Sequence, residues 1–306
     1  MNVLVTGGTG FVGREVVRQL HNSGHRAHLL ARNPEARTTR EVARFFGAKV
    51  RPGDVLDADS LRSACAGLEA VVHLVGIISE IGDQTFENVH RRGTLNAVFA
   101  AQDTGIRRFL HMSALGTRPE ARSRYHQSKW EAEDQVRRSG LGWTIFRPSI
   151  IYGSGDGFVN LFARMIRFSP VVPVVGNRRS EFQPIAVKLV AAAFVKALTE
   201  PRTIGETYDL CGPETFTLDG LVDEIQAVLK RRRLKLHVPP GLARGQAAFL
   251  EWIYPRLLRR AAPLTRDQLT LLEEDNVGNG QPANELFGLK PVPFREGIAA
   301  WLAPRR

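Results

Sequence analysis

A short apolar strand runs without a spacer into three evenly spaced glycines: Val3-Leu4-Val5-Thr6-Gly7-Gly8-Thr9-Gly10-Phe11-Val12-Gly13. Gly7 suits a tight turn, Gly10 lets the backbone approach a diphosphate, and Gly13 lets the next helix pack close to the strand. That helix turns its unpaired N–H groups and the positive end of its dipole toward the same spot. A glycine triplet alone says little. Placed between the first strand and first helix of a βαβ series, it specifies a dinucleotide site, with Gly7, Thr9, Gly10, Phe11, Val12 and Gly13 expected at the phosphates.

The series is there. Strands are expected at Asn2–Thr6, Ala27–Ala31, Lys49–Pro52, Ala70–Val75, Arg107–Ser113 and Trp143–Pro148. Helices fall between them, at Gly10–His21, Thr39–Phe46, Asp59–Ala66, Phe86–Thr104 and Tyr125–Ser139. This alternation predicts an α/β fold, a doubly wound parallel Rossmann sheet whose ligands lie beyond the carboxyl ends of the strands. After Ile151 the rhythm breaks at a glycine cluster, Gly153 to Gly157, and a smaller C-terminal substrate lobe is expected. The boundaries read as a dinucleotide-binding domain over 1–155 with a returning helix at about 184–199. The substrate or lid lobe takes 156–183 and 200–306.

Composition narrows the function classes. Of 306 residues, 43% are hydrophobic and 24% charged, the balance of a soluble globular protein with room for a large core. No apolar run is long enough to cross a bilayer, and the first strand begins at Asn2. No leader is therefore expected, and a cytoplasmic location is. Cys65 and Cys211 are too few for a disulfide framework and lack metal-ligand spacing, so buried thiols and no metal are expected. The net charge of +11 is carried by 35 arginines and seven lysines scattered along the chain. With no nucleic-acid module beside it, that charge does not make nucleic acid an expected partner.

The second strand bears on the choice of dinucleotide. Folds that bind NAD usually end this strand with an acid for the ribose 2′-hydroxyl. Here it reads His28-Leu29-Leu30-Ala31-Arg32-Asn33-Pro34, with Ala31 in the acid's place and Arg32 following. Losing a carboxylate removes a clash with a 2′-phosphate, and a guanidinium fork suits that phosphate. NADP(H) is expected ahead of NAD(H).

Tyr125 and Lys129, in Tyr125-His126-Gln127-Ser128-Lys129, share a helical face, and Ser113 ends the strand before them. Together with the loop Thr6-Gly7-Gly8-Thr9-Gly10-Phe11-Val12-Gly13, this set resembles extended and atypical short-chain dehydrogenases/reductases. Across nearly the whole chain the pattern is similar to one subgroup, typified by the nucleotide-binding accessory subunit of complex I and its bacterial relatives. The motifs behind this are His111-Met112-Ser113-Ala114-Leu115-Gly116, Trp143-Thr144-Ile145-Phe146-Arg147-Pro148-Ser149 and Phe182-Gln183-Pro184-Ile185. Leu264-Thr265-Arg266-Asp267-Gln268 and Asp275-Asn276-Val277 complete the set.

The resemblance implies Tyr125 as the acid/base, Lys129 on the nicotinamide ribose and Ser113 on the substrate oxygen. A free tyrosine titrates at about 10, and a lysine cation with an oxidised nicotinamide is expected to lower that value. The resemblance further implies Asp54 and Val55 at the adenine, and Leu74, Val75 and Gly76 along the ribose and diphosphate. Pro148, Ile150 and Ile151 are implied beside the carboxamide. A fourth tetrad residue is not assigned between Asn88 and Asn96. The activity implied is hydride transfer, oxidoreductase or epimerase in type, on a small-molecule substrate. The alternative is a non-catalytic NADPH-holding protein, with a partner in a respiratory complex or in quinone biosynthesis. Phe249, Ile253 and Leu257 recur at every fourth position near Arg256, Arg259 and Arg260. That pattern suits a lid helix first, and secondarily a peripheral contact with the inner face of the membrane.

Overall fold

The computed structural model describes residues 1–176 and 179–303. Its core is a seven-stranded parallel sheet: β1 (Asn2–Thr6), β2 (Arg26–Ala31), β3 (Lys49–Pro52), β4 (Ala70–His73), β5 (Arg108–Met112), β6 (Gly142–Pro148) and β11 (Glu206–Leu210). The spatial order is β11-β6-β5-β4-β1-β2-β3, so the chain reverses direction between β1 and β4. Ligand crevices form at such a reversal, outside the strands' carboxyl ends.

Strand alternation explains why both faces are covered. Val3 and Val5 point into one apolar layer and Leu4 into the other, because successive side chains of a strand leave opposite faces. The first layer is closed by α1 (Phe11–Asn22), α2 (Arg37–Phe46), α7 (Val187–Ala197) and α11 (Gln281–Phe287). The second is closed by α3 (Ala58–Cys65), α4 (Gly93–Asp103) and α5 (Arg124–Arg137). Cys65 and Cys211 are free and buried, as expected of two small apolar side chains.

Three elements depart from expectation. β4 ends at His73, where Thr6 Oγ1 and Thr94 Oγ1 hold the ring at 2.9 and 3.2 Å, and Leu74 turns out into a loop. The helix expected over Phe86–Thr104 opens with a π-helical turn, Glu87–Arg92, before α4. The segment 200–306, expected as part of the smaller lobe, contributes β11 to the main sheet beside β6, with Leu210 opposite Pro148.

A third apolar cluster lies beyond β7 (Ile151–Tyr152). It is built from α6 (Val159–Phe168), β8 (Val171–Val175), β9 (Glu181–Phe182), α8 (Leu218–Leu229) and α12 (Phe294–Leu302). Phe162, Ile166, Leu221, Ile225, Phe294 and Ile298 interlock there. β10 (Ile185–Ala186) pairs with β7, β12 (Phe216–Thr217) with β9, and β13 (Leu234–Val238) with β8. The Pro-rich stretch after β13 is ordered as α9 (Pro240–Ile253), a π-helical turn (Tyr254–Leu258) and α10 (Arg266–Leu272).

Candidate active site

A cleft of about 520 Å³ opens at the chain reversal. Its floor is the glycine loop. Gly7 has φ +71°, and a Cβ on Gly13 would stand 2.1 Å from the Gly7 carbonyl oxygen, so any side chain there would push α1 off β1. No side chain caps α1, whose first N–H groups face the loop. Gly7, Thr9, Gly10, Phe11, Val12, Gly13, Arg32, Asp54, Val55, Leu74, Val75 and Gly76 all line the cleft. The shape and donor set fit an extended diphosphate ligand.

At the far wall Ala31, Arg32 and Asn33 follow β2, and Asp54 is the only carboxylate among the lining residues described. Arg32 is exposed and has no ion-pair partner among the described residues; nearby Glu35 lies 3.6 Å from Arg40. Asp54 accepts the Leu56 N–H at 3.0 Å, while Asp57 caps α3 through the Asp59 and Ser60 N–H groups. An ordinary capping role is thus filled by another residue.

The opposite end of the cleft reaches Gly76, Ile77, Gln84 and Met112. There Lys129 arrives from α5. Its Nζ donates to the Met112 carbonyl at 3.1 Å, and a Cβ on Gly76 would lie 3.0 Å from it. Burial lowers the Lys129 ammonium to about 8, against the opposing pull of the Glu133 carboxylate. Tyr125, one turn earlier, is half-buried, with the rings of Phe86 and His90 edge-on to it at 6.0 and 5.4 Å. Burial pushes its phenol up to about 12. Desolvation is what raises it; the fall expected from Lys129 together with an oxidised nicotinamide is a property of the loaded site. Ser113 is buried after β5 and donates to Thr117 Oγ1 at 3.3 Å. Ser113, Tyr125, Lys129, Pro148, Ile150 and Ile151 are not among the cleft's lining residues, although the Lys129 amine borders it behind Gly76. Pro148 ends β6, and Ile151 pairs with Ile185.

Neither asparagine weighed as a fourth tetrad member reaches this corner. Asn88 bonds the Asp83 carbonyl and Arg92, and Asn96 donates to the Val55 carbonyl at 2.9 Å. The corner is held by His90, from the π-helical turn. Its Nε2 accepts the Ile77 N–H at 3.0 Å, which leaves Nδ1 to donate to Ser128 Oγ at 2.8 Å. His90 therefore ties the cleft loop to α5.

Two further anchors of α5 follow from no local spacing. The Asp267 carboxylate, from α10, accepts the backbone N–H groups of Arg124 and Tyr125 at 2.8 and 3.1 Å, beside the Ser123 cap. Glu133, fully buried, takes Arg147 through two bonds of 2.8 and 2.6 Å and Arg137 through one of 2.5 Å. Ser149 donates to Asn276 Oδ1 at 2.6 Å, while Asn276 reaches the Leu115 carbonyl at 3.0 Å. These contacts account for motifs that sequence reasoning knew only by resemblance.

A family model described as NAD(P)H-binding matches residues 7–201. The chain belongs to this NAD(P)H-binding family. Among its relatives is NADH dehydrogenase (ubiquinone) 1 alpha subcomplex subunit 9, mitochondrial, of Arabidopsis thaliana. The two are 28% identical over 277 residues, 89% of this chain and 68% of that one. The ceramide reductase of Caulobacter vibrioides is 34% identical over 203 residues, 65% of this chain and 61% of its own length. A solved NADPH-dependent quinone oxidoreductase of Escherichia coli shares the fold with a TM-score of 0.76 at 21% identity. That match covers 97% of this chain and 99% of the other. The expected kinship with atypical short-chain dehydrogenases/reductases and with the complex I accessory subunit is borne out.

Proposed function

We propose that the protein is an NADP(H)-dependent oxidoreductase that uses Tyr125 as its acid/base. The observation that carries this reading is the meeting at Gly76. The nucleotide cleft ends against the Lys129 amine, one helical turn from the Tyr125 phenol. A bound nicotinamide would supply the hydride at this end of the cleft. Lys129 is in position to orient the ribose, and the Gly7–Gly13 backbone to hold the diphosphate. Arg32 is in position to meet a 2′-phosphate. Ser113 would hold the substrate oxygen beside Tyr125. With its phenol near 12, Tyr125 holds its proton at neutral pH. In the direction of carbonyl reduction it would be the group that protonates the oxygen. The name of the ceramide reductase relative directs the substrate search to lipid-class carbonyl compounds.

The test is NADPH oxidation by purified protein against quinones, long-chain ketones and sugar nucleotides. Tyr125→Phe is expected to lower kcat by about 10²- to 10⁴-fold and to leave nucleotide affinity within about twofold. Unchanged turnover in the variant would refute the role. A second reading has its own support, because the relative matching 89% of the chain is a complex I subunit. In that reading the cleft holds NADPH as a structural element. It predicts no turnover across the panel, retained tight nucleotide, and co-purification with respiratory components.

A further inference from the structure

The element after β13 buries little of itself. Of α9, only Ala243 and Ala247 are buried, packed against Leu269 of α10. On the outer side stand Leu242, Phe249 and Trp252, followed in the π-helical turn by Leu257 and Leu258, each 55% to 73% exposed. Leu242, Phe249 and Trp252 are seven and three residues apart and share one stripe of the helix. Ile253, expected in that stripe from its spacing, is half-buried, and Trp252 takes its place.

The charge on this face is of one sign. Arg256 lies 5.2 Å over the Trp252 ring and donates to the Trp252 carbonyl at 2.9 Å, with no carboxylate partner among the described residues. Arg259 and Arg260 are exposed and have no ion-pair partner among the described residues. The nearest acid of the same helix, Glu251, is held by Arg266 at 2.7 Å.

We infer that this face docks on an anionic phospholipid bilayer, with Phe249, Trp252, Leu257 and Leu258 in the interface and Arg256, Arg259 and Arg260 at the headgroups. A protruding row of large side chains needs a matching groove on a protein partner; a fluid interface receives it without one. Trp and Arg side by side, apolar ring below and guanidinium above, suit the boundary between acyl chains and phosphates. The unpaired arginines give the charge complementarity, each contributing about fivefold in affinity at an anionic surface. Docking is in-plane, since among the described residues no helix is long and apolar enough to cross a membrane. This inference stands on the C-terminal segment alone and does not depend on the nucleotide reading.

Flotation with vesicles of phosphatidylcholine alone, or with a third phosphatidylglycerol, tests it on the full chain. Binding is expected to the anionic vesicles, to weaken at high salt, and to be slight on the neutral ones. Phe249→Ser with Trp252→Ser, and separately Arg259→Glu with Arg260→Glu, are each expected to weaken it at least tenfold. NADPH affinity and the melting curve should stay at wild-type values. Trp252→Phe should keep binding but remove quenching by brominated lipid. Absence of wild-type binding to anionic vesicles at low salt would overturn the inference. So would undiminished binding by both double variants, or a self-association that the Phe249/Trp252 pair abolishes while vesicle binding persists.

Discussion

In the proposed NADP(H) reading, Arg32 would choose between two chemically similar ligands with one guanidinium. It stands exposed in the cleft wall with no ion-pair partner among the described residues, next to Ala31, which occupies the position where NAD-binding folds usually carry an acid. A charged hydrogen bond of this kind is worth about 1.5–3 kcal/mol, and tenfold in affinity corresponds to about 1.4 kcal/mol. Arg32→Ala should therefore weaken NADPH binding by about 10- to 100-fold while NADH affinity moves less than about twofold. Isothermal titration of both nucleotides reads this directly. An equal loss for both would mean that Arg32 serves the shared part of the molecule and not the phosphate.

At the scale of elements, α5 carries the proposed acid/base pair, and most of its anchoring comes from outside it. Ser123 caps its first turn locally, but Asp267 reaches the same turn from the other lobe. Replacing a capping acid by Ala costs about 0.5–2 kcal/mol. Asp267→Ala is expected to lower the melting temperature modestly and to reduce kcat by tenfold or more once a substrate is found. Nucleotide affinity should be kept, because the glycine loop lies on α1. A loss confined to stability, with kcat intact, would show that Asp267 joins the lobes without orienting Tyr125. The same geometry explains what was legible beforehand. Gly7 to Gly13 and Tyr125 to Lys129 are local patterns, written within one turn or loop, and both could be read. Asp267 acts across 142 residues and Glu133 on Arg147 across 14, so no spacing rule exposes them. His90 was hidden differently. The run from Phe86 to Thr104 has the periodicity of one helix, and only a π-helical turn brings His90 onto Gly76 and Ser128. The place of β11 is illegible for a similar reason, since a strand's sequence says how it alternates and not which edge it joins.

For the whole molecule, the site sets how stability depends on pH. His73 and His90 are held at about 3 and 2, burial acting first and the Lys129 charge second. Burial lowers His126 to about 4, and burial with the Lys129 charge takes His111 well down. These rings stay neutral in the fold while the unfolded chain protonates them below about 6.5. The unfolded state then binds more protons, so stability falls as pH drops from 6.5 toward 4, by about 1.4 kcal/mol per pH unit for each ring fully affected. Lys129 extends the same sign upward. Its folded value near 8 lies below the free value of about 10.5, so the fold bears the cost of a buried charge below pH 8 and sheds it as pH rises through that window. Opposing groups enter from pH 9, because burial raises the Cys65 thiol to about 11 and the Tyr125 phenol to about 12. The Lys129 contribution is therefore best read as a difference between two proteins. Lys129→Met should unfold at a higher urea concentration than wild type at pH 7, with the gap narrowing between pH 8 and 10. Its acid transition should also shift to lower slope, since His73, His90 and His111 lose the cation beside them. A gap that is absent at pH 7, or constant up to pH 10, would mean that the amine is hydrated and that its burial does not govern the site.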